Sequence, residues 1–192
     1  MTEPPHIQIV IGSIREGRVG EPVANWFAEL AAARADLSTE LIDLREWNLP
    51  FLTNATPPSR GYETDIQREW AAKVGEADGY VLVTAEYNHG YPPPLKNALD
   101  YVYAEWTRKP VAYVSYGGPG GGTRAVEQLR GVAVELQQAP LHSQVIINRP
   151  WPTLKDGVFD GQQYERQATA LLDELAWWAD VLRAGRAAKG GQ

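Results

Sequence analysis

Cysteine is absent from the 192 residues. That excludes disulfides, thiolate metal clusters, thiol nucleophiles and redox dithiols together. Any electron chemistry must therefore come from a bound cofactor. Histidine occurs only as His6, His89 and His142, without the spacing of a ligand set, so no metal is expected. No long basic run is present and the net charge is −6, which argues against nucleic acid or an anionic membrane surface as main partner. No apolar run approaches the ~20 residues needed to span a bilayer. Met1 to His6 carry neither the basic region nor the apolar stretch of a signal peptide. The chain reads as soluble and cytoplasmic.

What is present is ordinary for a globular protein: 44% hydrophobic and 22% charged residues, enough for a real core. The length fits one domain. Residues 1–183 are expected to form it, and the small, basic, glycine-rich 184–192 a disordered tail.

Short β-branched or aromatic runs alternate with helical periods. Ile7 to Ile11 reads as the first strand, followed by a helix with Val23, Trp26, Phe27, Leu30 and Ala31 on one face. Leu41 to Leu44 is a weaker second strand, followed by an irregular stretch from Trp47 to Gly61. Ile66, Trp70 and Val74 mark a helix. Gly79 to Thr84 is apolar without alternation, as expected of a strand buried on both faces. A helix after Pro92-Pro93-Pro94 carries Leu95, Ala98, Leu99 and Val102; proline costs little at a first helical position, where its N–H would be unpaired anyway. Val111 to Ser115, a helix with Val126, Leu129, Val132, Ala133 and Leu136, Val145 to Ile147, and a helix from about Gln162 to Arg183 complete the chain. Five strands alternating with helices give an α/β three-layer sandwich around a parallel sheet.

Ligands of such sheets sit beyond the carboxyl ends of the strands, and three loops there hold unusual sequence. The first runs from Gly12 to Gly20. Its glycines let backbone approach a ligand, its amides and the following helix favour an anion, and Ser13, Arg15 and Arg18 add donors. A phosphate monoester fits; a tight turn with two solvated arginines is the plainer alternative. The lysine and hydroxyl of a Walker A loop are replaced by Arg18 and Val19, and the glycine spacing is not that of a dinucleotide fingerprint. The second loop, Ala85 to Pro93, is aromatic and constrained; Tyr87 and Tyr91 suit a flat ring, or else the loop simply caps the sheet. The third, Ser115 to Arg124, has five glycines within six positions. Lys96 and Asp100, four apart on a helix, read as an exposed pair rather than chemistry.

Gly12-Ser13-Ile14-Arg15-Glu16-Gly17-Arg18, Glu86-Tyr87-Asn88-His89-Gly90-Tyr91-Pro92, Leu95 to Asp100 and Ser115-Tyr116-Gly117-Gly118 resemble the NADPH-dependent FMN reductase family of flavodoxin-like proteins, in particular its small quinone, azo-compound and chromate reductases. The resemblance spans roughly Ile7 to Leu182. It implies a flavodoxin-like fold with a five-stranded parallel sheet in the order 2-1-3-4-5. It also implies FMN as cofactor and NADPH or NADH as reductant. Ser13, Arg15 and Arg18, with backbone at Val19 and Gly20, would bind the FMN phosphate. Glu86, Tyr87, Asn88 and His89 would line the isoalloxazine, and Ser115, Gly117 and Gly118 would meet its pyrimidine edge. The sequence departs from the family pattern at Ala85, often proline, and at Gly20, often serine or asparagine.

On this reading the protein passes hydride from reduced nicotinamide through FMN to a small acceptor such as a quinone, free flavin or azo compound. The cofactor carries the covalent chemistry, so no catalytic side chain is assigned. Trp47, Phe51, Tyr103 and Trp106 are candidates to wall the pocket, from this or a neighbouring subunit, with a core role for most of the tryptophans the equal alternative; the resemblance implies a homodimer or homotetramer. An FMN-binding electron carrier or a non-enzymatic flavin-binding regulator stays open as an alternative on the sequence alone.

Overall fold

The computed structural model describes residues 3–188. β1 (His6–Ile11) lies between β2 (Ser38–Asp43) and β3 (Gly79–Ala85), and β4 (Pro110–Gly117) and β5 (Ala139–Asn148) follow β3 outward. All four pairings are parallel, in the order β2-β1-β3-β4-β5. Parallel neighbours need long crossovers. These are supplied by α1 (Gly20–Ala32), α2 (Leu44–Trp47) with α3 (Asp65–Gly75), α4 (Pro93–Asp100) and α5 (Thr123–Glu135), with α6 (Glu165–Ala188) closing the chain.

Alternation along each strand sends side chains to two cores. Ile7, Ile9 and Ile11, with Val83, Val114 and Ile147, meet Val23 and Phe27 of α1 and Leu171 and Leu175 of α6. Val10, Leu82 and Tyr113 meet Trp70 of α3, Leu95 and Leu99 of α4, and Leu129 of α5. β3 is buried at every position, which is why it reads as an unbroken apolar run. Each fully buried aliphatic side chain contributes about 1.5–3 kcal/mol relative to exposure. Two such cores fix the strand ends from which the loops depart.

Three features differ from the sequence reading. First, α6 continues to Ala188, so residues 184–188 of the expected tail are helical. Arg186 donates to Asp78 Oδ1 (2.6 Å) and to the Arg108 carbonyl (2.8 Å), tying the last turns to the base of the sheet. The remainder, 189–192, lies outside the described residues. Second, β5 is longer than Val145–Ile147, with a register shift against β4 between Val111 and Tyr113. The interrupted segment is satisfied by side chains: Arg130 donates to the Leu141 and His142 carbonyls, and Glu174 accepts from the His142 and Ser143 amides. Third, an unexpected hairpin, β6 (Leu154–Lys155) and β7 (Val158–Phe159), turns through Asp156 and Gly157, both at positive φ. Phe159 packs edge-on against Trp26 with centroids 5.4 Å apart. Gly161 passes so close that a Cβ there would lie 2.1 Å from Trp26.

Lys109 enters β4 at the amino end of the sheet. Its buried ammonium donates to the Gly75 carbonyl (3.1 Å) and the Tyr80 hydroxyl (3.2 Å), closing the C-terminus of α3. Burial, aided by the nearby Arg186 charge, lowers its pKa to about 8. An unfolded lysine keeps its proton to about 10.4. Between those values the unfolded chain binds more protons than the folded one, so stability rises with pH. Above about pH 10 buried Tyr80, Tyr113 and Tyr116, whose pKa values burial raises, reverse the slope. Urea unfolding at pH 7.5 and pH 9, below the range where unfolded tyrosines ionise, should show a gain of about 1 kcal/mol that Lys109→Met abolishes. A wild-type profile flat across that window would mean the ammonium stays charged in the fold.

Candidate functional site

The loops after β1, β3 and β4 converge at the carboxyl edge of the sheet, where strand order reverses between β2 and β3 around β1. They frame a cleft of about 290 Å³. The first loop contributes Ser13, Arg15, Glu16, Gly17, Arg18 and Val19; the second, Ala85, Glu86 and Tyr87; the third, Tyr116, Gly117 and Gly118; Trp151 closes the outer wall.

The first loop leaves β1 pressed against β3. The Gly12 N–H donates to the Val83 carbonyl at 2.9 Å, and a Cβ on Gly12 would lie 3.1 Å from the same oxygen. Two arginines then organise the loop from outside. Arg18 donates to the Ser13 carbonyl (2.8 Å), and Arg45 of α2 to the Ile14 and Arg15 carbonyls. With those oxygens engaged, no N–H from Ser13 to Val19 donates to a backbone acceptor among the described residues. The result is an amide-rich concavity at the N-terminus of α1, the arrangement that binds anions.

Arg18 was expected at a phosphate. Its side chain is only 3% exposed, and all five guanidinium donors have protein acceptors: Ser13 O, both Asp43 carboxylate oxygens, and Glu21 Oε2 twice. No donor remains for a ligand, so Arg18 shapes the loop. Burial works to raise the Asp43 carboxyl, but hydrogen bonds from Arg18 and the Arg45 amide outweigh it and hold it below the usual carboxylate range. Arg15, by contrast, makes no ion pair among the described residues, and its guanidinium lies over the Tyr87 ring, 5.7 Å from the centroid. It is the cation available to a bound anion. Ser13, almost fully buried, pairs its hydroxyl with that of Tyr87.

In the second loop Tyr87 and Gly90 exchange both main-chain hydrogen bonds (2.8 and 3.0 Å) around Asn88 (φ 50°) and His89 (φ 71°). Positive φ at both central residues is the primed hairpin turn, which asparagine tolerates well. It sets Asn88 and His89 on an exposed tip outside the cleft, where Gln128 of α5 donates to the His89 carbonyl at 2.9 Å. Neither is among the residues that line the cleft. Glu86 lines the cleft, but its carboxylate accepts from the Arg124 guanidinium (2.7 Å) and the Arg124 amide (3.2 Å) at the start of α5.

In the third loop Ser115 is fully buried and donates to the Gly121 carbonyl at 2.8 Å. It too builds the loop rather than meeting a ligand. Gly121 (φ +58°) and Gly122 (φ +89°) are required: a Cβ would come 2.4 Å from Ile146 or 2.8 Å from Ser115. A Cβ on Gly118 would meet nothing, so backbone there is open to the cleft.

Of the residues singled out from sequence, Ser13, Arg15, Val19, Glu86, Tyr87, Gly117 and Gly118 share the cleft, with Arg18 in its wall. Gly20 lies behind it. Tyr116 and Trp151 were missed. Tyr116 stands between two chosen residues, and Trp151 follows β5, the neighbouring strand end. The proposed aromatic wall is elsewhere. Trp106 is core, Trp47 packs edge-on against Trp70, Tyr103 hydrogen-bonds toward α5, and the exposed Phe51 borders a separate apolar hollow. Lys96 and Asp100 form the partly exposed i, i+4 pair expected of them.

These residues fit a phosphate monoester joined to a flat ring. Free amides, a helix N-terminus, the Ser13 hydroxyl and Arg15 suit the phosphate. Uncovered backbone at Gly117 and Gly118 opposite Tyr87 suits a ring.

The sequence profile described as NADPH-dependent FMN reductase matches residues 5–152. The chain is 37% identical over 159 residues to an NAD(P)H-dependent FMN reductase of Schizosaccharomyces pombe, covering 81% of this chain and 79% of that one. It is 31% identical over 188 residues to an NAD(P)H:quinone oxidoreductase of Solanum tuberosum, covering 90% and 92%. In fold it resembles FerB, a flavoenzyme NAD(P)H:(acceptor) oxidoreductase from Paracoccus denitrificans. The TM-score is 0.73 at 19% identity, over 92% of this chain and 97% of that one.

The different roles of the two loop arginines are separable. Arg18→Ala strands the Asp43 carboxylate and frees the loop, and should lower unfolding free energy in urea at pH 7 by about 2–3 kcal/mol. Arg18→Lys, with three donors for five acceptor contacts, should recover little of it. Arg15→Ala should change stability by less than about 0.5 kcal/mol. Equal stability of all four proteins would refute the structural role of Arg18.

Proposed function

The chain belongs to the NADPH-dependent FMN reductase family, and we propose that its three-loop cleft is the FMN site, with the phosphate at the first loop and the ring between the second and third. The protein is an FMN-dependent NAD(P)H oxidoreductase. The observation that carries the placement is one cleft in which unpaired amides and the free Arg15 guanidinium face open glycine backbone across Tyr87.

When bound, FMN supplies the chemistry that takes hydride from reduced nicotinamide and delivers it to a small acceptor; quinones are the acceptor class we favour, after the quinone oxidoreductase relatives. The chain's own residues bind and orient. Ser13, Arg15 and the amides from Ser13 to Val19 hold the phosphate, where the α1 dipole adds to the attraction. Tyr87 gives the ring an aromatic neighbour. Main chain at Gly117 and Gly118 meets the ring edge, and fixed amide dipoles there favour an electron-rich ring. Arg124 neutralises Glu86, so its carboxylate does not oppose that charge. Trp151, 57% exposed, shields the outer side. No lining side chain is assigned as acid or base.

No helix among the described residues is long and apolar enough to cross a membrane; a cytoplasmic location belongs to the proposal. So does a homodimer or homotetramer, in which a second copy would cover the apolar hollow bordered by Ile14, Pro50 and Phe51.

Purified protein titrated with FMN should turn yellow and quench flavin fluorescence. Under anaerobic NADPH the bound flavin should then bleach, and a quinone should restore its colour. Arg15→Ala should weaken FMN binding about tenfold or more, the worth of a charge-assisted contact, with the melting temperature unchanged. A colourless protein that refuses FMN would overturn the reading, whereas tight FMN binding without bleaching would leave only an electron carrier.

A further inference from the structure

Gly20 is the first residue of α1, and a Cβ placed on it would come 2.6 Å from the Tyr116 hydroxyl. That hydroxyl therefore fills the space a side chain at position 20 would occupy. Tyr116 is 6% exposed and lines the cleft. It sits in β4, paired with Ala85 of β3 and Ile147 of β5, and its ring packs in the core beneath α1 and α6. The sheet, not a loop, fixes where the hydroxyl lies. Burial pushes its pKa well up, even against the opposing influence of the Ser13 hydroxyl, the Arg18 charge and the Gly20 amide beside it. The phenol is thus neutral and able to donate throughout the physiological range. Its hydrogen-bonding neighbours are the Ser13 hydroxyl, at the start of the first loop, and the Gly20 amide, at the N-terminus of α1, where the cleft's anion end lies.

The first loop is short of side-chain donors. Arg18 is fully engaged, Gly20 has no side chain, and Ser13 shares its hydroxyl with Tyr87. We propose that Tyr116 completes the phosphate subsite from the strand side, donating its hydroxyl to a phosphate oxygen at the N-terminus of α1 in place of the side chain that Gly20 lacks. This rests on the FMN reading above. It makes Gly20 and Tyr116 a matched pair: a side chain at 20 and a tyrosine at 116 exclude each other, and one hydroxyl serves where the other cannot. It also makes Tyr116 a determinant of selectivity for a phosphorylated flavin, because a flavin without phosphate gains nothing from this contact.

The test is binding of FMN and of riboflavin to flavin-free protein, followed by quenching of flavin fluorescence. Tyr116→Phe keeps the ring and removes only the donor. It should weaken FMN roughly ten- to hundredfold, the range for a hydrogen bond to a charged group, while riboflavin binding moves less than about twofold. Gly20→Ala, which keeps Tyr116 but displaces its hydroxyl, should produce the same selective loss and provides a second route if the first variant melts early. Equal losses for the two flavins in both variants, or unchanged FMN binding, would overturn the assignment and leave the FMN site standing. A wild-type protein that binds neither flavin would overturn both.

Discussion

The candidate site depends on one side chain that stands in its wall with every donor already engaged. Arg18 leaves the first loop, turns back on it, and joins the end of β2 at Asp43 to the first turn of α1 at Glu21. Asp43 in turn accepts the Arg45 amide at the start of α2, and Arg45 holds the next two loop carbonyls. A single buried ion pair thereby turns three consecutive carbonyls onto arginines and leaves their amides for an anion. Ion pairs of this kind contribute less to stability than to specifying one geometry, since desolvation offsets much of the attraction. Geometry is what an amide-rich phosphate site requires.

That same residue shows how far the sequence could be read. The strands were legible because β-branched runs buried on both faces leave an unmistakable pattern, and the helices because their apolar residues recur at 3.6. The loops were legible as sites because they follow strands. Arg18 was not, since an arginine among glycines looks like a ligand donor until Asp43, 25 positions away, is seen beside it. Ser115 fails for a related reason: at the end of a strand, parity decides which neighbour faces the cleft, and Tyr116 took that place. Asn88 and His89 show how little a loop sequence says about direction: their positive φ values put both on an exposed tip beside the cleft. The β6–β7 hairpin has a local signal, Asp156-Gly157 between short apolar runs, that the strand and helix periods alone do not reveal. The helical end of α6 has none, because it depends on an Arg186–Asp78 contact across 108 positions of sequence.

The hairpin and the site are not independent. Trp151 reaches the cleft from a turn just before β6, and the hairpin is held through Phe159 and Gly161 against Trp26. Trp26 lies on α1, whose N-terminus faces the same cleft. The outer wall and the anion-binding end of the site are thus referenced to one helix, so a shift of α1 against the sheet would move both together.

A chain with net charge −6 accommodating a phosphate is an electrostatic problem solved locally. Asp43 and Glu21 are tied to Arg18, and Glu86 to Arg124. Three acidic side chains near the loops are therefore compensated, while Glu16 and Arg15, both lining the cleft, make no ion pair among the described residues. The remaining negative charge is dispersed over the surface, where solvent and salt screen it beyond about a Debye length. At short range amide dipoles, a helix terminus and the Arg15 guanidinium supply the sign an anion needs, against the single unpaired carboxylate of Glu16. On the proposed placement, selectivity for a phosphate lies in how many donors converge on it, most of them backbone amides fixed by the loop's carbonyl contacts.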